Sequence, residues 1–202
     1  FYPYYRLHLF DPDKPFYHRV VVPVYSADGK YVVGCTGRSI HDKCLKCSCH
    51  HHPHKPCPPP DKRWIYSKWK HNHMFKSQDN LYNFWFAKKN NKKTKTIIIV
   101  ESPGNVWRLE EAGINNSVCI FGSSMSNYQK LLIDSSGAMN MVVLTDNDEA
   151  GQKAFEQIKD KCKDIYRIYR PTFEADDIGE MSISEIQKQI IPSLEKIYEQ
   201  YE

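Results

Sequence analysis

Two textures of apolar spacing divide the chain. Near the start, "HRVVVPVY" and "KYVVGCTGR" are short β-type runs, and the "SADG" between them has the length and the glycine of a hairpin turn. Residues 41–60 are then almost wholly Cys, His, Pro and Lys. Such a stretch predicts a loop whose order must come from something other than a core. Beyond it, "WIYSKW" predicts another strand, and "DNLYNFWFAKK" an aromatic helix capped at Asp79 or Asn80.

From residue 94 the texture changes. "TIIIV" at 96–100 and "MVVL" at 141–144 are continuous apolar runs, the mark of strands buried on both faces of a parallel sheet. Between them come a helix-like "NVWRLEEAG", a strand candidate "SVCIF" and a helix candidate "SNYQKLLIDSSG"; "IYRIYR" at 165–170 is one more strand candidate. Strand and helix alternate, and right-handed crossovers then give a mostly parallel sheet flanked by helices. The expected fold class is therefore α/β, preceded by a smaller basic α+β subdomain. The expected boundaries are 1–92 for that subdomain, 93–180 for the α/β domain, and 181–202 for a helical segment that Pro192 starts or kinks.

Charge sharpens this division. The net +4 conceals 18 Lys and Arg against 6 Asp and Glu in residues 1–100, a balance of +12, and 10 against 18 in residues 101–202, a balance of −8. A basic half attracts polyanions by releasing their counterions, whereas a concentration of carboxylates can hold divalent cations. Solvated faces of opposite sign are the plainer reading. The sequence has no run of eighteen apolar residues and no leader-like segment, so neither a membrane span nor secretion is expected, and a reducing cytoplasm is the expected setting. The chain opens on Phe1 rather than Met, as a piece of something longer would.

Five of the seven cysteines fall within 23 residues, and four of those lie in the histidine-rich loop. "HDKCLKCSCHHHPHKPC" offers C-x2-C-x-C and, seven residues on, a further Cys. Four thiolates suffice for a closed tetrahedral Zn²⁺ site, which could order a loop that has no core of its own. The expected ligands are Cys44, Cys47, Cys49 and Cys57, with His50, His51, His52 or His54 able to replace one of them. Lys43, Lys46, Lys55 and Lys62 surround the loop and could grip nucleic acid.

Chemistry in an open parallel sheet collects beyond the carboxyl ends of the strands. Three such ends carry acids here: Glu101 after "IIIV"; Asp146 and Asp148 after "MVVL"; and Glu174, Asp176 and Asp177 after "IYRIYRPTF". If the strands are neighbours, these carboxylates meet on one edge, where their mutual repulsion calls for a cation. Oxygen-only ligands suit Mg²⁺ or Mn²⁺. The plainer reading is that Asp146 or Asp148 caps the helix "EAGQKAFEQIKDKC", whose buried stripe is Ala154, Phe155, Ile158 and Cys162.

Taken together, "IIIVESPGNVWRLEEAGI", "VCIFGSSMSNYQ", "VVLTDNDEAGQKA" with its D-x-D-x-A-G, and "YRPTFEADDIGE" resemble the Toprim domain, and within it the catalytic core of bacterial and bacteriophage DNA primases. Upstream, "HRVVVPVYSADGKYVVGCTGRSI", "RWIYS" and "FKSQDNLYN" resemble the segment preceding Toprim in primases, so the likeness runs over roughly residues 17–180. It implies that Glu101, Asp146 and Asp148 are the catalytic, Mg²⁺-binding acids, with Glu174 and Asp176 completing the set. It implies that Arg38, Arg63 and Lys76 face template and nucleoside triphosphate. The activity implied is synthesis of RNA primers on single-stranded DNA by metal-dependent nucleotidyl transfer, with a replicative helicase as partner. A Toprim nuclease using the same acids, or a non-catalytic single-strand-binding module, are the alternatives.

The sequence departs from the family pattern at Ser102, where Gly is usual, at Asn105, where primases place another acid, at Tyr66, where Asn is usual, and at Glu174, which replaces an Asp. Tyr66, Trp64 and Trp69 could stack on bases, although core packing is the expectation for Trp64 and Trp85. No G-x-x-x-x-G-K is present to serve a helicase motor.

Overall fold

The computed structural model describes residues 8–9 and 18–201, with side chains from 18 to 200. Two compact units divide the chain, one formed by residues up to 25 with 30–75, the other by 26–29 with 76 onward.

The first unit is a four-stranded antiparallel sheet in sequence order, β1 (His8–Leu9), β2 (Arg19–Tyr25), β3 (Val32–Ser39) and β4 (Trp69–His71). The β2–β3 pairing is the hairpin expected from the alternating valines. Val21, Val22, Val24 and Phe75 are buried in it. Gly34 is needed there: a Cβ at that position would lie 2.3 Å from the Phe75 ring. "WIYSKW" is not one strand. Residues 60–66 form a 3-10 helix that follows Pro58 and Pro59, and only Trp69–His71 pair with β3. Arg19 supplies the reason. Its buried guanidinium donates to the carbonyls of Ile65, Ser67 and Lys68 and to that of Gly37, at 2.8–3.3 Å, so the backbone acceptors of this segment are taken by a side chain instead of a ladder.

In the second unit β5 (Thr96–Val100), β6 (Ser117–Cys119), β7 (Asn140–Leu144) and β8 (Arg167–Tyr169) form the expected parallel sheet, in the order β6-β5-β7-β8. β5 and β7 are buried at every position. Ile97, Ile99, Met141 and Val143 share one core with Phe84, Ile133, Ile158 and Cys162. At about 25 cal/mol per Å² of apolar surface, each of these side chains contributes roughly 1.5–3 kcal/mol.

Six helices accompany the strands: α1 (Phe84–Thr94), α2 (Pro103–Glu111), α3 (Asn127–Asp134), α4 (Glu149–Cys162), α5 (Ile183–Gln189) and α6 (Ile191–Tyr198). Capping boxes start α3 at Ser126 with Gln129, and α5 at Ser182 with Glu185. Pro192 stands in the first turn of α6, as expected of a residue with no N–H to lose there. α1 begins later than Asp79 or Asn80, after Asn83 in a left-handed conformation (φ 66°). The Asn83 side-chain amide is committed to Glu110 and to the Ser117 carbonyl, which fixes the chain before the helix. Among the described residues no helix is long and apolar enough to cross a membrane.

Candidate functional site

The order of the parallel sheet decides where the acids meet. From β5 the chain crosses to β6, then returns past β5 to β7 and on to β8. β5 and β7 are thus the neighbours at which the direction of winding reverses, where loops leaving the carboxyl ends diverge and open a crevice. Glu101 leaves β5 there, and Asp146 follows β7 after Thr145. The Glu101 carboxylate accepts from the Asp146 backbone N–H at 3.3 Å, so residues 45 apart in sequence share one hydrogen bond.

The turn that carries the aspartates is locked from inside. Thr145 is buried and its hydroxyl donates to the Gly151 carbonyl at 2.8 Å. A Cβ on Gly151 would stand 1.9 Å from the Asp146 carbonyl oxygen, so the glycine of D-x-D-x-A-G is imposed by close backbone approach. Asp148 caps α4, accepting from the Gly151 N–H at 2.7 Å, as the plainer sequence reading holds. Its charge also reaches Glu101. Burial raises the Glu101 pKa above the ordinary carboxylate value, and the charges of Asp148 and Asp177 raise it further, although the Asp146 N–H works against them. Crowded negative charge around a half-buried carboxyl is the environment that a divalent cation relieves, and the donor set is all oxygen, as Mg²⁺ or Mn²⁺ prefers.

The third acidic segment does not enter as expected. Glu174 is drawn away to α5, its N–H donating to the Gln189 amide oxygen at 2.9 Å and its carboxylate accepting from the same amide. Asp176 contributes its backbone carbonyl, which accepts from the Asn147 N–H at 2.8 Å. The charge from this segment that acts on Glu101 is that of Asp177, which also caps the 3-10 turn 178–180. Asn147 holds the arrangement together, since its side-chain amide donates to the carbonyls of Phe173 and Ala175 at 2.6 and 2.8 Å. The sequence placed Asp177 at this strand end, but the family resemblance left it out of the metal set, and it gave Asn147 no role. A D-x-D spacing gives no sign that its middle residue binds a loop 26–29 residues away. Asn105 is buried in α2 beside Ser102, whose hydroxyl is bonded to it, with its amide oxygen 3.6 Å from where a Gly179 Cβ would lie. It occupies the space next to Asp177 without adding a charge.

In the cysteine loop a histidine takes the place of one of the four expected cysteines, the alternative that the sequence left open. The ligand atoms of Cys44, Cys47, His51 and Cys57 all lie within 4.8 Å of one another. Among the described residues this is the only group of three or more Cys, His, Asp or Glu side chains that close, and the strand-end acids do not reach it. Cys44 Sγ is 3.8 Å from Cys57 Sγ, and Cys47 Sγ is 3.4 Å from His51 Nε2. Tetrahedral zinc with Zn–S of about 2.3 Å and Zn–N of about 2.0 Å sets those separations at about 3.8 and about 3.5 Å. His51 Nδ1 donates to the His52 carbonyl at 3.0 Å, which leaves Nε2 as the ligand nitrogen.

Cys49, expected as a ligand, lies outside this group, and its thiol turns to the carbonyls of Cys47 and Arg63. Cys44 is pulled down to about 6, chiefly by the backbone N–H groups of Cys47 and Lys46. The cluster has the spacing C-x2-C-x3-H-x5-C, and four histidines in a row of five positions hid which one joins it.

Of the expected basic contacts, Arg38 lies on β3 with its guanidinium 5.8 Å over the Trp69 ring, Arg63 is exposed on the 3-10 helix 60–66, and Lys76 is exposed just before residue 77 in the second unit. Trp64 is not core: it is 68% exposed, with the Lys70 ammonium 5.3 Å from its ring.

Comparison with known proteins agrees with this geometry. Residues 95–169 match the family model of the Toprim domain. The DNA primase of Clostridium acetobutylicum is 34% identical over 160 residues, 77% of this chain and 23% of that protein. The crystal structure of the Aquifex aeolicus primase, comprising its zinc-binding and RNA polymerase domains, superposes with a TM-score of 0.65 at 24% identity, covering 93% of this chain and 41% of that one. A primase catalytic domain solved bound to single-stranded DNA gives 0.61 at 21% identity, covering 96% and 55%. The chain spans about a third or less of the length of the curated relatives it matches. A switch-point pair of strands carrying Glu101 and D-x-D-x-A-G, preceded by a small antiparallel sheet, together with these likenesses, makes this chain a Toprim-containing DNA-primase core.

Proposed function

We propose that this chain polymerises nucleoside triphosphates into short RNA primers on single-stranded DNA, as the catalytic core of a bacterial or bacteriophage DNA primase. The observation that carries the reading is the meeting of Glu101 with the Asp146 backbone and the Asp148 charge at the β5–β7 switch point. Glu101, Asp146 and Asp148, with Asp177 in the place expected of Glu174 and Asp176, would hold Mg²⁺ or Mn²⁺. Such an ion supplies charge neutralisation for a triphosphate and makes a nearby hydroxyl more acidic. The protein's own part is positional. Gly151 and Thr145 hold the Asp146 backbone against the helix, Asp148 is fixed by its cap, and Asn147 brings Asp177 to Glu101. A carboxylate fixed before substrate arrives costs no reorganisation in the transition state. Arg38, Arg63 and Lys76 would meet the phosphates of template and nucleotide, and the exposed Trp64 can stack on a base.

Zinc would sit on Cys44, Cys47, His51 and Cys57 as a structural ion. All four positions are filled by protein, so it has no opening for catalysis. A replicative helicase is the expected partner and the cytoplasm the expected setting.

Labelled triphosphates on single-stranded DNA test the function. Asp146→Asn is expected to abolish primer synthesis with the fold intact, and full activity in that variant would remove the metal role. Cleaved strands in place of primers would make the protein a nuclease, and bound but unchanged DNA a binding module.

A further inference from the structure

We propose that the first unit carries a second anion site, a cavity under the cysteine–histidine loop that takes nucleotide phosphate on the sheet face opposite to Arg38. The cavity has a volume of about 450 Å³, within the range of small-molecule sites. Its charged lining is cationic: Arg19, Lys55, Lys62 and Lys70 reach it, and no Asp or Glu lines it. Pro58, Ile65 and Tyr66 give it an apolar wall.

Strand register places this cavity away from the expected template contacts. Arg19 pairs with Ser39, and Gly37 with Lys70, whereas Val20 pairs with Arg38, and Arg38 with Trp69. Residues directly across a ladder share a face and successive residues alternate. Ser39 and Lys70, which line the cavity, therefore lie on one side of the sheet, and Arg38 with Trp69 on the other.

The arrangement within the cavity suits an oxyanion. The His18 and His41 rings are hydrogen bonded at 2.7 Å and packed edge to face at 4.7 Å, and the His52 ring lies 5.4 Å from that of His41. Burial first, and neighbouring charge next, lower the His18 pKa, so Arg19 and the lysines, and not the imidazoles, carry the positive charge of the cavity. A zinc ion on three thiolates and a neutral imidazole carries a single net negative charge, which one lysine balances and two exceed. The surplus is fixed, because lysine stays charged at neutral pH. Phosphate, as a free polyphosphate or as part of a strand, offers the charge and the acceptor oxygens that such a lining lacks.

Calorimetric titration of the zinc-loaded full chain with inorganic tripolyphosphate, with no Mg²⁺ or Mn²⁺ present, isolates this site from the acids, which repel phosphate without a cation. One saturable site is expected, weakened at least tenfold by Lys55→Gln with Lys70→Gln, and unchanged by Arg38→Ala. Zinc content and thermal melting confirm that the variants fold. Competition by an oligonucleotide with a 5′-hydroxyl assigns the site to strand phosphodiester, and no competition assigns it to free polyphosphate. Absence of saturable binding, equal affinity in the double lysine variant, or equal weakening by Arg38→Ala would overturn the proposal. Primer synthesis by the same variants is a separate readout, so loss of this site and loss of catalysis are told apart.

Discussion

The two units hold their sites by different means. Around β5 and β7 the backbone is buried on both faces, and the acids are fixed as a consequence of packing that exists without any ligand. In the cysteine loop, Cys47, Cys49, His51 and Pro58 are the buried residues, while Leu45 is fully exposed and Lys43, Lys46, Lys55 and Lys62 are solvated. Too little apolar surface is buried there to offset the entropy of ordering the chain, so the ligand cluster must supply the difference. On the proposed function, one region would present ligands to a catalytic ion from a rigid frame, and the other would need an ion in order to have a frame.

Removing zinc is the strongest way to break this contrast. Structural zinc contributes on the order of 10 kcal/mol to small domains. Chelation, or Cys47→Ser, is expected to abolish amide-exchange protection across residues 44–66 and leave that of β5 and β7 unchanged; protection lost equally in both regions would mean the units do not differ in this way. Next in size is Gly151→Ala. The overlap with the Asp146 carbonyl forces the turn to shift, and a loss of roughly 3 kcal/mol or more is expected, with primer synthesis lost as well.

A core truncation sharpens the comparison at an intermediate scale. Ile99→Ala is expected to cost about 2–5 kcal/mol by denaturant titration, and Leu45→Ala in the loop less than about 0.5. A large effect at Leu45 would show a core beneath the loop that the structure lacks.

The smallest expected effect concerns the charge on Glu101. Burial first, and the charges of Asp148 and Asp177 next, raise its folded pKa above the unfolded value near 4.5. The unfolded chain then gives up this proton more readily, so ionised Glu101 opposes folding. Stability from this group falls as pH rises from 4.5 through the folded value and returns on acidification. In buffer free of divalent ions, Glu101→Gln is expected to melt slightly above wild type at pH 7, with the gap closing toward pH 4. Added Mg²⁺ should raise the wild-type melting temperature and not that of the variant. A Gln variant that melts below wild type at pH 7 would show that the carboxylate is not under strain.

Much of the frame was legible because burial leaves a plain imprint on composition. "TIIIV" and "MVVL" read as two-sided strands, and Pro192, expected to start or kink a segment, stands in the first turn of a helix. The sequence also marked Glu101, Asp146 and Asp148 as acids at strand ends, and the fold brings the first beside the other two. The site was not legible where a side chain acts at a distance. Arg19 keeps the first part of "WIYSKW" from pairing as a strand by taking its carbonyls, and Asn147 holds the 173–176 backbone that carries Asp177. His51 stands among neighbours of its own kind, and only the fold of the loop shows that its ring, and not Cys49, meets Cys47.

The sequence alone determined which segments must be buried, which carboxylates stand at strand ends, and that thiols and imidazoles crowd one coreless loop. These are local properties, set by hydrophobic period, turn chemistry and residue type. Tertiary structure alone decided that β5 and β7 lie side by side, that Asp177 is the third charge at Glu101, and which nitrogen completes the sulfur cluster. The first two depend on strand order and on hydrogen bonds between residues 15 to 45 positions apart, which leave no periodic trace along the chain, and the third on how a coreless loop folds back on itself.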